Sequence, residues 1–113
     1  MEQCTIYHNP RCSKSRQTLE LLQSKGLQFV VVEYLKIPLN LEKLKTLSAH
    51  FSFKDFVRSD EKIFKELGLS LEREEELLNA MVKEPVLMQR PIVTWKGKAR
   101  IGRPPEMILE LFD

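Results

Sequence analysis

Four residues, Asn9-Pro10-Arg11-Cys12, stand between a strand-like run that ends at His8 and a helix-periodic run that begins at Ser13. An Asn-Pro pair favours a tight turn, because proline fixes φ and asparagine can bond its own backbone two residues on. Thr5 to His8 therefore reads as a first strand, and Ser13 to Lys25 as a helix with Thr18, Leu19 and Leu22 on one face. Gly26 supplies the helix stop. Leu27 to Tyr34 then passes through Phe29-Val30-Val31-Val32, a β-branched run that suits a strand covered on both faces. Strand, helix and strand within about 30 residues predict a βαβ unit whose strands are parallel and connected right-handedly.

The middle of the chain changes character. Pro38 breaks the pattern, Asn40 can cap a helix, and Leu41, Leu44, Leu47 and Phe51 recur at helical spacing. Ser52 opens a short piece with Phe53, Phe56 and Val57. Asp60 is the expected cap of a third, which carries Ile63, Phe64 and Leu67 and stops at Gly68. Ser70 is expected to open a fourth with Leu77, Leu78, Met81 and Val82, ending before Pro85. Residues 40–84 thus read as entirely helical. Beyond them, Ile92 to Trp95, Lys96-Gly97 and Lys98 to Ile101 predict a β-hairpin with a tight turn. Gly102-Arg103-Pro104-Pro105 opens a last helix that buries Ile108, Leu109, Leu111 and Phe112.

The order is βαβ, a helical insertion, then ββα. Without the insertion this is the arrangement of a thioredoxin-like α/β fold with a mixed four-stranded sheet, in which a cysteine follows the first strand. One domain over residues 1–113 is expected, with the all-helical insertion at about 40–84. Hydrophobic residues make up 42% and charged residues 30%, ordinary for a globular protein. A net charge of +2, with basic residues dispersed, is too small to argue for nucleic acid, and no nucleic-acid partner is expected. No apolar run approaches the ~20 residues of a membrane span. Met1-Glu2-Gln3-Cys4 lacks a basic segment followed by an apolar one, so the expectation is a cytoplasmic protein with free thiols rather than a Cys4–Cys12 disulfide.

Cys12 carries the chemistry. A thiol at a helix start meets unpaired N–H groups and the positive end of the helix dipole, and both favour thiolate. Such sites lower a cysteine pKa from ~8.5 to roughly 3.5–7.5. Arg11, Lys14 and Arg16 around it are wrong for a buried apolar thiol. Cys12-Ser13-Lys14-Ser15 is C-x-x-S, so the motif cannot close its own disulfide, and an outside thiol must resolve any adduct. Cys4 reads as a core residue. His8 either tunes the thiolate or simply ends its strand. Ser15, one turn beyond Cys12, can donate to the sulfur or serve the helix start, and Asn9 can serve the turn. A zinc site at Cys4, His8 and Cys12 lacks a fourth ligand. A phosphatase loop of the low-molecular-weight tyrosine type would need arginine at position 18, which is Thr18. Oxyanion binding must recruit distant arginines, and Arg58, Arg90 and Arg103 each lie at a segment junction. Guanidinium forks suit tetrahedral oxyanions.

These residues resemble the ArsC family of glutaredoxin-coupled arsenate reductases. The likeness spans nearly the whole chain. Its strongest part is Tyr7 to Arg16, supported by Glu33-Tyr34-Leu35, by Arg58 ahead of Glu66-Leu67-Gly68-Leu69, by Pro85 to Val93, and by Gly102-Arg103-Pro104-Pro105-Glu106. The resemblance implies Cys12 as nucleophile with His8 before it, Arg58, Arg90 and Arg103 as oxyanion ligands, and a cis Arg90–Pro91 bond; to these the reading of the residues adds Ser15 beside the nucleophile and Asn9 on the oxyanion side. The resemblance also implies arsenate as substrate, glutathione as co-substrate, glutaredoxin as partner, and no bound cofactor or metal. Two other readings compete. One is a redox-sensing regulator like the Spx proteins, which commonly carry C-x-x-C at this place. The other is a glutathione-dependent reductase of another substrate.

Overall fold

The computed structural model describes residues 3–112, so the expectation drawn from Met1 and Glu2 concerns residues outside that range. The chain divides into two compact units. One takes in the chain up to Ile37 and again from Arg90, and the other is Pro38–Gln89.

The first unit is a four-stranded sheet: β1 (Cys4–Tyr7), β2 (Phe29–Val32), β3 (Ile92–Trp95) and β4 (Lys98–Ile101), in spatial order β2-β1-β3-β4. β1 and β2 are parallel, while β3 runs antiparallel to both β1 and β4. This is the thioredoxin-like α/β architecture. Helix α1 (Ser13–Ser24) makes the crossover, ending where Gly26 takes φ 68. A closing 3₁₀ helix, Pro105–Phe112, follows β4. Alternation along the strands sends Cys4 and Ile6 to one face with Val93, where they form a core with Leu22 of α1 and with Ile108 and Leu111. In the hairpin turn Lys96 and Gly97 take φ 50 and 76, the pair of positive values that a two-residue turn between twisted strands favours.

One expectation fails here. The Leu27–Tyr34 run yields a strand only over Phe29–Val32, and Val30 and Val31 are 39% and 43% exposed. The strand order puts β2 outside β1, so it is an edge strand and is not covered on both faces.

The second unit contains α2 (Leu41–Ser48), α3 (Phe53–Phe56), α4 (Lys62–Glu66), α5 (Glu74–Lys83) and a 3₁₀ turn, Pro85–Leu87. Asn40 caps α2 by accepting from Lys43 N–H at 2.8 Å, and Ser52 caps α3 by accepting from Asp55 N–H at 3.3 Å. Leu44, Leu47, Phe56, Val57, Leu77, Leu78, Met81, Leu87 and Met88 are its buried apolar residues. Two expected helix starts are displaced. Glu61, not Asp60, is the N-cap of α4, because Glu61 N–H bonds back to Arg58 O and closes a turn that contains Asp60. Ser70 accepts from Glu72 N–H in a separate turn, and α5 begins only at Glu74. The segment is also not wholly helical: Val57 and Met88 form an antiparallel bridge.

Candidate active site

Cys12 is the N-cap residue of α1, with extended backbone at φ −95 and ψ 123. The turn before it is built by Asn9, whose Oδ1 accepts from Arg11 N–H and whose carbonyl accepts from Cys12 N–H, both at 3.0 Å. Arg16 reaches back to donate to Pro10 O at 2.9 Å. An N-cap side chain faces the amides two and three residues on. Here these belong to Lys14 and Ser15. Neither closes a hydrogen bond of ordinary geometry to the sulfur, yet both favour its anion. The first turn of α1 holds no acidic residue to oppose them.

The hairpin brings in the arginines. Arg90 precedes β3 and Arg103 follows β4, and the register Ile92↔Ile101 sets these flanks side by side. Tyr7↔Ile92 places the same end of the hairpin beside the end of β1, where the Cys12 turn starts. Arg103 Nη1 lies 3.8 Å from Cys12 Sγ and donates to Arg90 O at 3.0 Å. Cys12 itself is only 9% exposed. Burial pushes its thiol up, but the Ser15 amide, the Arg103 guanidinium, the Arg90 charge and the Lys14 amide together outweigh it, and the pKa is lowered. Cys12 is thus a thiol biased to thiolate in a cationic setting, the condition for cysteine nucleophilicity.

Behind the sulfur, His8 Nδ1 and Ser15 Oγ are 2.6 Å apart, and Asn9 N–H donates to the same oxygen at 3.0 Å. His8 and Ser15 are both buried. Burial pushes the imidazole down, Glu33 pulls it up, and Arg16 pushes it down, for a net lowering. The expectation that the Ser15 hydroxyl donates to the sulfur is corrected. That hydroxyl is held by His8 and by the Asn9 amide, and it is the backbone amide of Ser15 that acts on Cys12. His8 is likewise not among the groups that shift Cys12. It braces the first turn of α1 against the end of β1.

Arg58 belongs to the helical unit. Its guanidinium pairs with Glu61 at 2.9 Å and donates to Val86 O at 3.5 Å, and its N–H donates to Leu87 O at 2.7 Å. Cys4 is fully buried in the core of the sheet, and burial pushes its thiol up. Cys4 and Cys12 are both free. At ~3.3 Å per strand residue, β1 carries Cys12 well beyond disulfide reach of Cys4. Among the described residues, no group of three or more His, Cys, Asp or Glu side chains is placed to hold a metal ion. No described helix is long and apolar enough to cross a membrane. The Arg90–Pro91 bond is cis, as the resemblance implies, and so is Arg103–Pro104. The sequence carries no sign that Gly102 lies against Thr18. Their contact is visible only once α1 and the hairpin are packed.

Known proteins resemble the chain over nearly its whole length. The ArsC family model matches residues 7–111. The chain is 50% identical to the protein YfgD of Escherichia coli K12, with 97% of each chain covered. It is 42% identical to an arsenate reductase of Neisseria meningitidis serogroup A, covering 96% of this chain and 97% of that one. Among solved structures, an arsenate reductase from Vibrio cholerae superposes with a TM-score of 0.88 at 41% identity, covering 96% of both chains.

Proposed function

Because the chain belongs to the ArsC family, we propose that it is an oxidoreductase that reduces arsenate to arsenite through Cys12, with glutathione and glutaredoxin as the external thiols. The observation that carries the proposal is the Arg103 guanidinium 3.8 Å from the Cys12 sulfur at the N-terminus of α1. A site that favours one anion there also favours an incoming tetrahedral one.

The Cys12 thiolate attacks arsenic(V), a sulfur–arsenic bond forms, and one arsenate oxygen leaves as water after protonation. Arg103 and Arg90 hold the remaining oxygens, and the resemblance assigns Arg58 to the same task. A glutathione thiolate then attacks the Cys12 sulfur. The sulfur–arsenic electron pair moves to arsenic, which leaves as arsenite, and Cys12 is left in a mixed disulfide with glutathione. Glutaredoxin attacks the glutathione sulfur and restores the Cys12 thiolate. The absence of a second cysteine in Cys12-Ser13-Lys14-Ser15 favours this dependence on outside thiols. The cytoplasm, where glutathione is kept reduced, is the fitting compartment.

The test is a coupled assay with glutathione, glutaredoxin and NADPH-dependent recycling of oxidised glutathione. Arsenate-dependent NADPH loss that vanishes in Cys12→Ser supports the proposal. Loss seen only with thioredoxin and its NADPH-dependent reductase, in place of the glutathione system, would reassign the reductant. No arsenate-dependent loss with either would leave a thiol-dependent reductase of another substrate.

A further inference from the structure

Gly102 is buried between β4 and Arg103. Its φ is not in the left-handed region, so the backbone conformation does not call for glycine. Space does. A Cβ at this position would lie 2.5 Å from Thr18 Oγ1, 2.8 Å from Pro91 Cγ and 3.3 Å from Thr18 Cγ2. Neither neighbour is free to yield. Thr18 is fully buried, and its hydroxyl donates to Lys14 O at 2.8 Å. Pro91 is buried too, and its carbonyl accepts from Gly102 N–H at 2.9 Å, which draws position 102 toward the very ring that crowds it. The next residue is Arg103, whose N–H returns to Ile101 O at 2.9 Å and whose guanidinium bridges Cys12 and the Arg90 carbonyl.

We propose that Gly102 is a positioning residue of the anion site: its missing side chain lets the turn after β4 lie against Thr18 of α1, and that close approach sets the reach of Arg103 to Cys12. The contact joins the helix that Cys12 caps to the turn that carries the arginine. At 3.8 Å the guanidinium–sulfur contact has no slack. A methyl group at position 102 pushes the turn off α1 and carries Arg103 with it.

The inference rests on the thiolate–arginine site described above, but its readout is thiol reactivity, so failure to reduce arsenate leaves it standing. The experiment measures iodoacetamide alkylation of Cys12 at about pH 6, followed on the Cys12 peptide, in wild type, G102A, R103A and G102A/R103A. A charge-assisted hydrogen bond lost from the thiolate slows alkylation about tenfold in G102A and in R103A alike. The double variant reacts within about twofold of R103A, because Gly102 acts through Arg103. If G102A slows alkylation as much in the R103A background as in wild type, or if folded G102A reacts at the wild-type rate, the proposal is overturned. Should G102A not hold its native circular dichroism, the same comparison is made in a Thr18→Ala background, which removes the two Thr18 atoms nearest the new Cβ and leaves Pro91 in place. There G102A still slows alkylation, by less, and only while Arg103 is present. Slowing that is independent of Arg103 in this background overturns the proposal equally.

Discussion

Arg103 Nη1 stands 3.8 Å from Cys12 Sγ although the two lie 91 positions apart in the chain. The sheet makes this contact: β1 ends at the sulfur's turn, and the hairpin delivers the arginine beside it. Arg103→Ala should raise the Cys12 pKa and slow its alkylation at mildly acidic pH. Arg90→Ala should do the same more weakly, since Arg90 acts through charge where Arg103 bonds the sulfur. Both should raise KM for arsenate in the coupled assay. Unchanged circular dichroism would separate these effects from unfolding.

Ser15→Ala discriminates between the two ends of that residue. Its amide remains beside the sulfur, while the hydroxyl that holds His8 and the Asn9 amide is lost. Leaving a buried imidazole without its partner should lower stability by about 1–3 kcal/mol in denaturant unfolding. Cys12 alkylation should change far less than in Arg103→Ala. A large loss of Cys12 reactivity with little loss of stability would restore the hydroxyl-to-sulfur assignment.

Cys4 and Cys12 should respond oppositely to replacement. Cys12→Ser should abolish arsenate turnover and leave the fold intact. Cys4→Ala removes a fully buried side chain from the sheet core, so it should lower stability by about 1 kcal/mol and spare turnover. Cys4→Ser is a poorer control because it buries a hydroxyl among apolar groups, at a cost of about 1–3 kcal/mol. Turnover and thermal melts of the three variants check both halves.

Two lowered pKa values give a signed pH dependence of stability. Cys12 is an acid whose folded pKa is depressed, so its contribution is complete above the ordinary thiol value of ~8.5 and is lost as pH falls to the lowered value. His8 is a base whose folded pKa is depressed. Below its ordinary value of ~6.5 the unfolded chain takes a proton that the folded one refuses, and stability falls further. Melting temperature should therefore decline in two windows on acidification. Cys12→Ser should flatten the upper window, and His8→Gln the lower one.

Much of this was legible in the chain. Lys96-Gly97 fixed the hairpin because few pairs tolerate positive φ at both turn positions. Gly26 ended α1 for a related reason, and the turn at Asn9-Pro10 placed Cys12 at the helix N-terminus. Other features were not. An apolar run such as Phe29–Val32 looks the same at a sheet edge as at its centre, and only the strand order distinguishes them. The helix starts near Glu61 and Glu74 lie among several polar residues able to cap, so local chemistry underdetermines them. The partners of Ser15, and the crowding of Gly102 by Thr18, depend on how α1 seats against the sheet. Ser15 also weakens the regulator reading, since its side chain is committed to His8 and offers no second thiol to Cys12.

The most direct test is a titration of the Cys12 thiol, followed by its ultraviolet thiolate absorbance in a Cys4→Ala background. The account predicts an inflection clearly below the range of a free cysteine, moving up when Arg103 is replaced by alanine. An inflection at or above the free-cysteine value, indifferent to Arg103, would contradict it.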